Sequence, residues 1–135
     1  MKPLNHHQTT RGFTLLEMTV VIMVLLALIS TGLFVNRRMD EWRRGREASE
    51  SLRAVLSAQR MFLADNPTRA VSSLTSAELV PYLPMGGTSI PTVRSLTNSV
   101  LSIRIDVSPP VVNAGTGTTY DPSGSSTDSL WDVGE

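Results

Sequence analysis

The sequence predicts an α+β fold: one long N-terminal helix, its first half transmembrane, packed on a small antiparallel β-sheet head. Three observations carry that prediction. Phe13 to Val35 reads FTLLEMTVVIMVLLALISTGLFV, an apolar run with a single charge, Glu17. Leu52, Val55, Leu56, Phe62 and Leu63 recur at helical spacing, broken only by Gln59. Leu101, Ile103, Ile105 and Val107 alternate with Ser102, Arg104 and Asp106, the period of a half-buried strand.

The elements follow in chain order. Residues 1–12 are polar and read as a leader, with His6 and His7 as solvated neighbours rather than metal ligands. Residues 13–35 read as the transmembrane helix, about 34 Å long at 1.5 Å per residue and so long enough to cross a bilayer. The run exceeds the usual core of a secretory signal, and no small-x-small cleavage site follows it. Ser30, Thr31 and Gly32 mark a soft spot near its far end. An acid inside a membrane span costs a few kcal/mol on insertion scales, so Glu17 is the first candidate functional residue.

Residues 36–65 continue the helix without a proline, with Gly45 as its one poor helix former. Arg37/Glu41, Arg43/Glu47 and Arg46/Glu50 are spaced for i,i+4 ion pairs on a solvated surface, next to which anionic lipid is also attracted. Asp65-Asn66-Pro67 stops the helix. Residues 66–135 form the head. Thr75-Ser76-Ala77-Glu78 predicts a capping box that opens a short helix, which Pro81 ends. Gly86-Gly87 marks a turn, with Tyr82 and Met85 as packing residues. Val100–Val107 is the clearest strand, paired with residues 91–97 through an Asn98-Ser99 turn and ended by Pro109-Pro110. Residues 113–128 read as a loop, and Leu130–Val133 as a last short strand in which Trp131 seals the sheet edge.

Composition excludes several function classes. The 12 basic and 12 acidic residues balance, against the basic excess of a nucleic-acid binder. The chain has no Cys, and its His residues are confined to the leader. Ser-His-Asp and Cys-based catalysis therefore lack a member, and no phosphate-binding loop or dinucleotide fingerprint is present. The sequence is read as a non-enzyme with no obligatory cofactor. Asp121, Asp128 and Asp132 lie in an oxygen-rich tail and are weak calcium candidates.

Arg11-Gly12-Phe13-Thr14-Leu15-Leu16-Glu17, at the head of a long uncharged helix behind a short polar leader, resembles the N-terminal segment of type IV pilins and type II secretion pseudopilins. The resemblance covers about residues 11–35. It implies a cut between Gly12 and Phe13 by a prepilin peptidase that also N-methylates Phe13, and an assembly role for Glu17. It further implies a subunit of a pilus or pseudopilus in the bacterial inner membrane, its head in the periplasm and other pilin-like subunits as partners. Major pseudopilins carry a calcium loop near the C-terminus, which this tail does not reproduce in full. Elementary chemistry is consistent with the cut: Gly12 has no side chain to obstruct a protease, and cleavage creates a cation near Glu17.

Two further readings stand beside this one. Arg37, Arg38, Arg43, Arg44 and Arg46 outnumber Lys2 and Arg11 across the span, a distribution that by itself favours a cytoplasmic C-terminal part. The resemblance implies the reverse orientation, with Asp40, Glu41 and Glu47 interleaved among the arginines. The alternative to an assembly subunit is a single-pass membrane protein that does not polymerise and whose head binds a ligand or partner.

Overall fold

A computed structural model describes residues 12–115 and 117–134 of the 135-residue chain, without the Met85 side chain. Lys2, His6, His7, Arg11 and the rest of the expected leader up to residue 11 lie outside the described residues, as does the packing role of Met85. The chain divides into two compact units, one ending at Arg37 and one starting at Arg38. Helix α1, Leu15–Asp65, supplies residues to both.

In the first unit every described residue is exposed. Its apolar window has a mean hydropathy of 2.6 with none of it buried, so this helix is long and apolar enough to cross a membrane. A helix that is hydrophobic all round needs an apolar surrounding. The hydroxyls within it are already satisfied by the helix: Thr19 Oγ1 donates to Leu16 O at 2.8 Å, Ser30 Oγ to Leu26 O at 2.8 Å and Thr31 Oγ1 to Ala27 O at 2.9 Å. Such back-bonding removes the cost of placing a hydroxyl in hydrocarbon. The α-helix runs unbroken through the expected soft spot at residues 30–32.

In the second unit α1 is one-sided. Gly45, Ala48, Ser49, Leu52, Val55, Ala58, Gln59 and Phe62 are its buried residues, a stripe of i,i+3,i+4 steps. Of these, Ala48, Leu52, Val55, Ala58 and Phe62 meet Leu74, Leu79, Leu83, Val93, Ile103, Val112 and Trp131 in one core cluster. Phe62 packs edge-on against Tyr82, with ring centroids 5.6 Å apart, while the Tyr82 hydroxyl donates to Asp65 Oδ2 at 2.9 Å. This contact ties the end of α1 to the segment that follows. None of the three expected i,i+4 ion pairs forms among the described residues; Arg38 instead meets Glu41 at 3.7 Å, one turn apart.

The chain after α1 forms short elements. Helix α2, Ser76–Leu79, is opened by the expected capping box: the Glu78 carboxylate accepts from the Thr75 N–H at 3.0 Å and from its hydroxyl at 2.7 Å. Pro81 lies within the 3₁₀ turn Val80–Tyr82 that takes over from α2. Strands β1, Val93–Arg94, and β2, Val100–Leu101, pair antiparallel with Val93 opposite Leu101. Asn98, at φ 65°, makes the expected turn between them. Strands β3, Ile103–Arg104, and β4, Val111–Val112, form a second antiparallel pair with Ile103 opposite Val112.

Three expectations for this unit are corrected. The strand expected over Val100–Val107 changes partner at Ser102, pairing with β1 before it and β4 after it. Beyond Arg104 its carbonyls turn to α1: the Gln59 side-chain amide donates to Ile105 O at 2.8 Å and Val107 O at 3.0 Å. The strand therefore ends before Pro109 is reached. The expected loop over 113–128 begins as a hairpin tip, with Asn113 bridged to Thr119 behind β4. Leu130–Val133 is not a strand. Ser129 and Trp131 have positive φ (56° and 67°), and the Trp131 N–H donates to Gly45 O at 3.1 Å. Trp131 is buried against α1 rather than at a sheet edge, with Tyr120 edge-on at 5.1 Å.

Gly45 has its reason here. A Cβ at this position would lie 3.0 Å from Trp131 Nε1 and 3.1 Å from Leu130 Cβ. Gly45→Val would drive two further methyl groups into that contact. Overpacking of this kind costs about 1–3 kcal/mol, and thermal melts followed by near-ultraviolet circular dichroism should show it. A Gly45→Val chain as stable as the native one would mean that the C-terminal segment does not hold this position.

Candidate functional site

The first turn of α1 places the residues singled out by the sequence. Thr14 precedes the helix and Glu17 is its third residue, N-cap and N3 in capping nomenclature. The Glu17 N–H donates to Thr14 Oγ1 at 3.2 Å, and the Thr14 N–H donates back to Glu17 Oε2 at 3.1 Å. The Thr14 hydroxyl lies 3.4 Å from the same carboxylate oxygen, and Met18 N–H closes the first helical bond to Thr14 O at 3.2 Å. This is a complete capping box.

Its physical consequence depends on the solvent. In water an exposed N-terminal N–H finds a partner freely. Inside hydrocarbon each unsatisfied N–H costs several kcal/mol. Thr14 and Glu17 satisfy two such donors, and the Glu17 charge sits at the positive end of the helix dipole. Gly12, Phe13, Thr14 and Glu17 line a shallow cavity of about 400 Å³. Phe13 is exposed, and a Cβ on Gly12 would meet nothing within 4 Å. The segment is thus open for an extended approach by another molecule.

No protein-family model, curated protein or solved structure matches the chain.

Sequence reasoning names Glu17 but passes over Thr14. The signal was present. Thr14-Leu15-Leu16-Glu17 has the same Thr-x-x-Glu spacing as Thr75-Ser76-Ala77-Glu78. A membrane acid draws attention to its charge and away from its local hydrogen bonds.

The three tail carboxylates serve as turn caps. Asp121 Oδ1 accepts from the Ser123 N–H at 3.0 Å, the Ser123 hydroxyl at 2.7 Å and the Gly124 N–H at 3.3 Å. Asp128 Oδ1 accepts from the Leu130 N–H at 2.9 Å, and Asp132 Oδ1 from the Gly134 N–H at 2.8 Å. Among the described residues no group of three or more His, Cys, Asp or Glu is arranged to hold a metal ion.

Asp132 is set apart by its second oxygen, which is buried with no hydrogen-bond partner. Burial raises the Asp132 carboxyl above its ordinary value of 3.8; the Gly134 N–H opposes this, Asp128 and Asp121 add to it, and Arg53 opposes it. The unfolded chain therefore releases this proton at a lower pH than the folded chain. Stability is full below the unfolded value, falls as pH rises through it, and levels off above the folded value. Asp132→Asn keeps the Oδ1 acceptor and removes the charge. Denaturant midpoints should show the variant at least as stable as the native chain at neutral pH, with a flatter profile above pH 3.8. A variant that is less stable at neutral pH but not at acid pH would contradict the assignment.

Proposed function

We propose that this chain is a pilin-like structural subunit, cut between Gly12 and Phe13, N-methylated at Phe13 and assembled through its N-terminal helix into a pilus or a type II secretion-like pseudopilus. The observation that carries the reading is the capped, fully exposed apolar first part of α1, up to Val35, whose one acid is held at its first turn. A simple membrane anchor needs neither Gly12 nor Glu17. Bundled helices in a filament use both an apolar surface on every side and a polar group that sets axial register.

In this reading the bacterial inner membrane holds α1 up to about Val35, with the C-terminal unit on the periplasmic side. The partners are the prepilin peptidase, which also acts as methyltransferase, and other pilin-like subunits. After the cut, the Phe13 amine precedes the Thr14 cap by one residue. Methylation preserves its positive charge. That cation then competes with the Thr14 N–H for the Glu17 carboxylate, in the same chain or from a neighbour. The chemistry is proteolysis and methyl transfer performed on this chain; the chain itself contributes a substrate segment and an assembly contact.

Mass spectrometry and N-terminal sequencing of the protein from its native membrane test the processing. The mature chain should start at Phe13 with one added methyl group, and Gly12→Ala should slow or abolish its formation. A chain that starts at Met1 would end this reading in favour of a non-polymerising membrane protein.

A further inference from the structure

The arginines after the apolar run have separate fates. Arg44 is taken up by the fold: its guanidinium donates to Ser95 O at 2.8 Å. Arg38 meets Glu41. The stretch from Met39 to Arg46 then has a face of its own. Met39, Trp42, Arg43 and Arg46 are spaced i,i+3,i+4,i+7 and so share one side of α1. Asp40 and Glu47 flank Arg43 at i−3 and i+4, and Glu50 follows Arg46 by four. None of these acids forms an ion pair with Arg43 or Arg46 among the described residues.

This face is amphipathic in an unusual sense. Met39 and Trp42 are 55% and 53% exposed, large apolar side chains with no core to enter. The Arg46 guanidinium lies over the Trp42 ring, 5.7 Å from its centroid. Arg43 is exposed and makes no ion pair or hydrogen bond among the described residues. The buried stripe of α1 runs along another side, through Gly45, Ala48 and Leu52. An indole with one guanidinium over it and a second arginine on the same side of the helix suits neither bulk water nor hydrocarbon. It suits a bilayer interface, where Trp is enriched and each Arg near an anionic surface contributes about 1 kcal/mol.

Chain connectivity places that interface within reach. Trp42 follows Val35 by seven residues, at most about 25 Å even if the link were fully extended. We propose that Met39, Trp42, Arg43 and Arg46 form a docking surface for the anionic phospholipid headgroups of the membrane that α1 enters. The inference rests on the membrane-spanning reading of α1 and not on assembly into a filament. It gives the excess of arginine on this flank a physical role as a lipid contact, separate from its effect on orientation.

The test uses the full chain in nanodiscs of phosphatidylcholine alone or with phosphatidylglycerol. Trp131 is 3% exposed, so lipids brominated near the headgroup report on Trp42. Trp emission should be quenched and blue-shifted when phosphatidylglycerol is present, and Trp42→Phe should remove the response. In Arg43→Gln and Arg46→Gln the dependence on phosphatidylglycerol should weaken about fivefold per arginine. Asp40→Asn should leave it intact or strengthen it. Equal quenching in both lipids, or a full response in the double Arg variant, would overturn the proposal. Resistance to alkaline carbonate extraction reports separately on the membrane span. Release by carbonate removes both readings, whereas retention without a lipid-dependent Trp42 signal removes only this one.

Discussion

Glu17→Val is expected to leave the chain membrane-inserted and cut after Gly12, and to abolish its incorporation into filaments. Two losses combine in this variant. The Thr14 N–H and hydroxyl lose their acceptor, and under the proposed assembly a neighbouring Phe13 amine would lose its counter-charge. A hydrogen bond to a charged group contributes about 1.5–3 kcal/mol, so incorporation should fall roughly tenfold or more per contact. Cross-linking between subunits, or counting filaments by electron microscopy, measures this directly.

Thr14→Val separates the two losses. It retains the Glu17 carboxylate and removes the hydroxyl that accepts from the Glu17 N–H. The cap alone is worth about 1 kcal/mol, so this variant should assemble at an intermediate level. Normal assembly of the Glu17→Val chain would show that the carboxylate is only a helix cap, and the assembly reading would lose its main residue.

The second large effect belongs to Gln59. In Gln59→Leu the carbonyls of Ile105 and Val107 lose the amide that both accept from. The two bonds are part-buried, and at about 0.5–1.5 kcal/mol each their loss totals roughly 1–3 kcal/mol. For a unit of this size that corresponds to a fall in Tm of about 4–24 °C. Leucine fills a similar volume, so the loss would come from hydrogen bonding and not from a cavity. Gln59 Oε1 is itself buried without a partner, a cost that leucine relieves, so the net loss falls toward the lower end of that range. A melting point within about 2 °C of the native chain, where surface substitutions fall, would show that the 105–107 segment is held by other contacts.

Much of the helix was legible in the sequence, and for a shared reason. The apolar run, the stripe from Leu52 to Phe62, the stop at Asp65 and the cap at Thr75 are all local patterns of period or spacing. So is the Asn98 turn, where a residue that tolerates positive φ sits between two strand-forming stretches. The candidate site was half legible: Glu17 stood out as a charge in an apolar run, while its hydrogen-bond partner Thr14 did not. What escaped was which residues of distant segments meet. Gln59 reads as a flaw in an apolar stripe until the carbonyls of residues 105 and 107 come to meet it. Gly45 reads as a poor helix former until Trp131 packs where a Cβ would be.

Residue spacing alone dictates that one long helix begins near residue 14, that its first part is apolar on every side and its second part on one side. Those properties follow from side chains three and four residues apart, whatever the rest of the chain does. How the remaining chain uses the one-sided part is a matter of packing. Residues 100–107 have a strand's alternation, yet they change partner at Ser102 and then give their carbonyls to Gln59. Residues 130–133 have strand-forming side chains, yet they turn through positive φ to hydrogen-bond Gly45. A backbone donor or acceptor takes whichever partner packing brings within reach. Local propensity does not specify that partner.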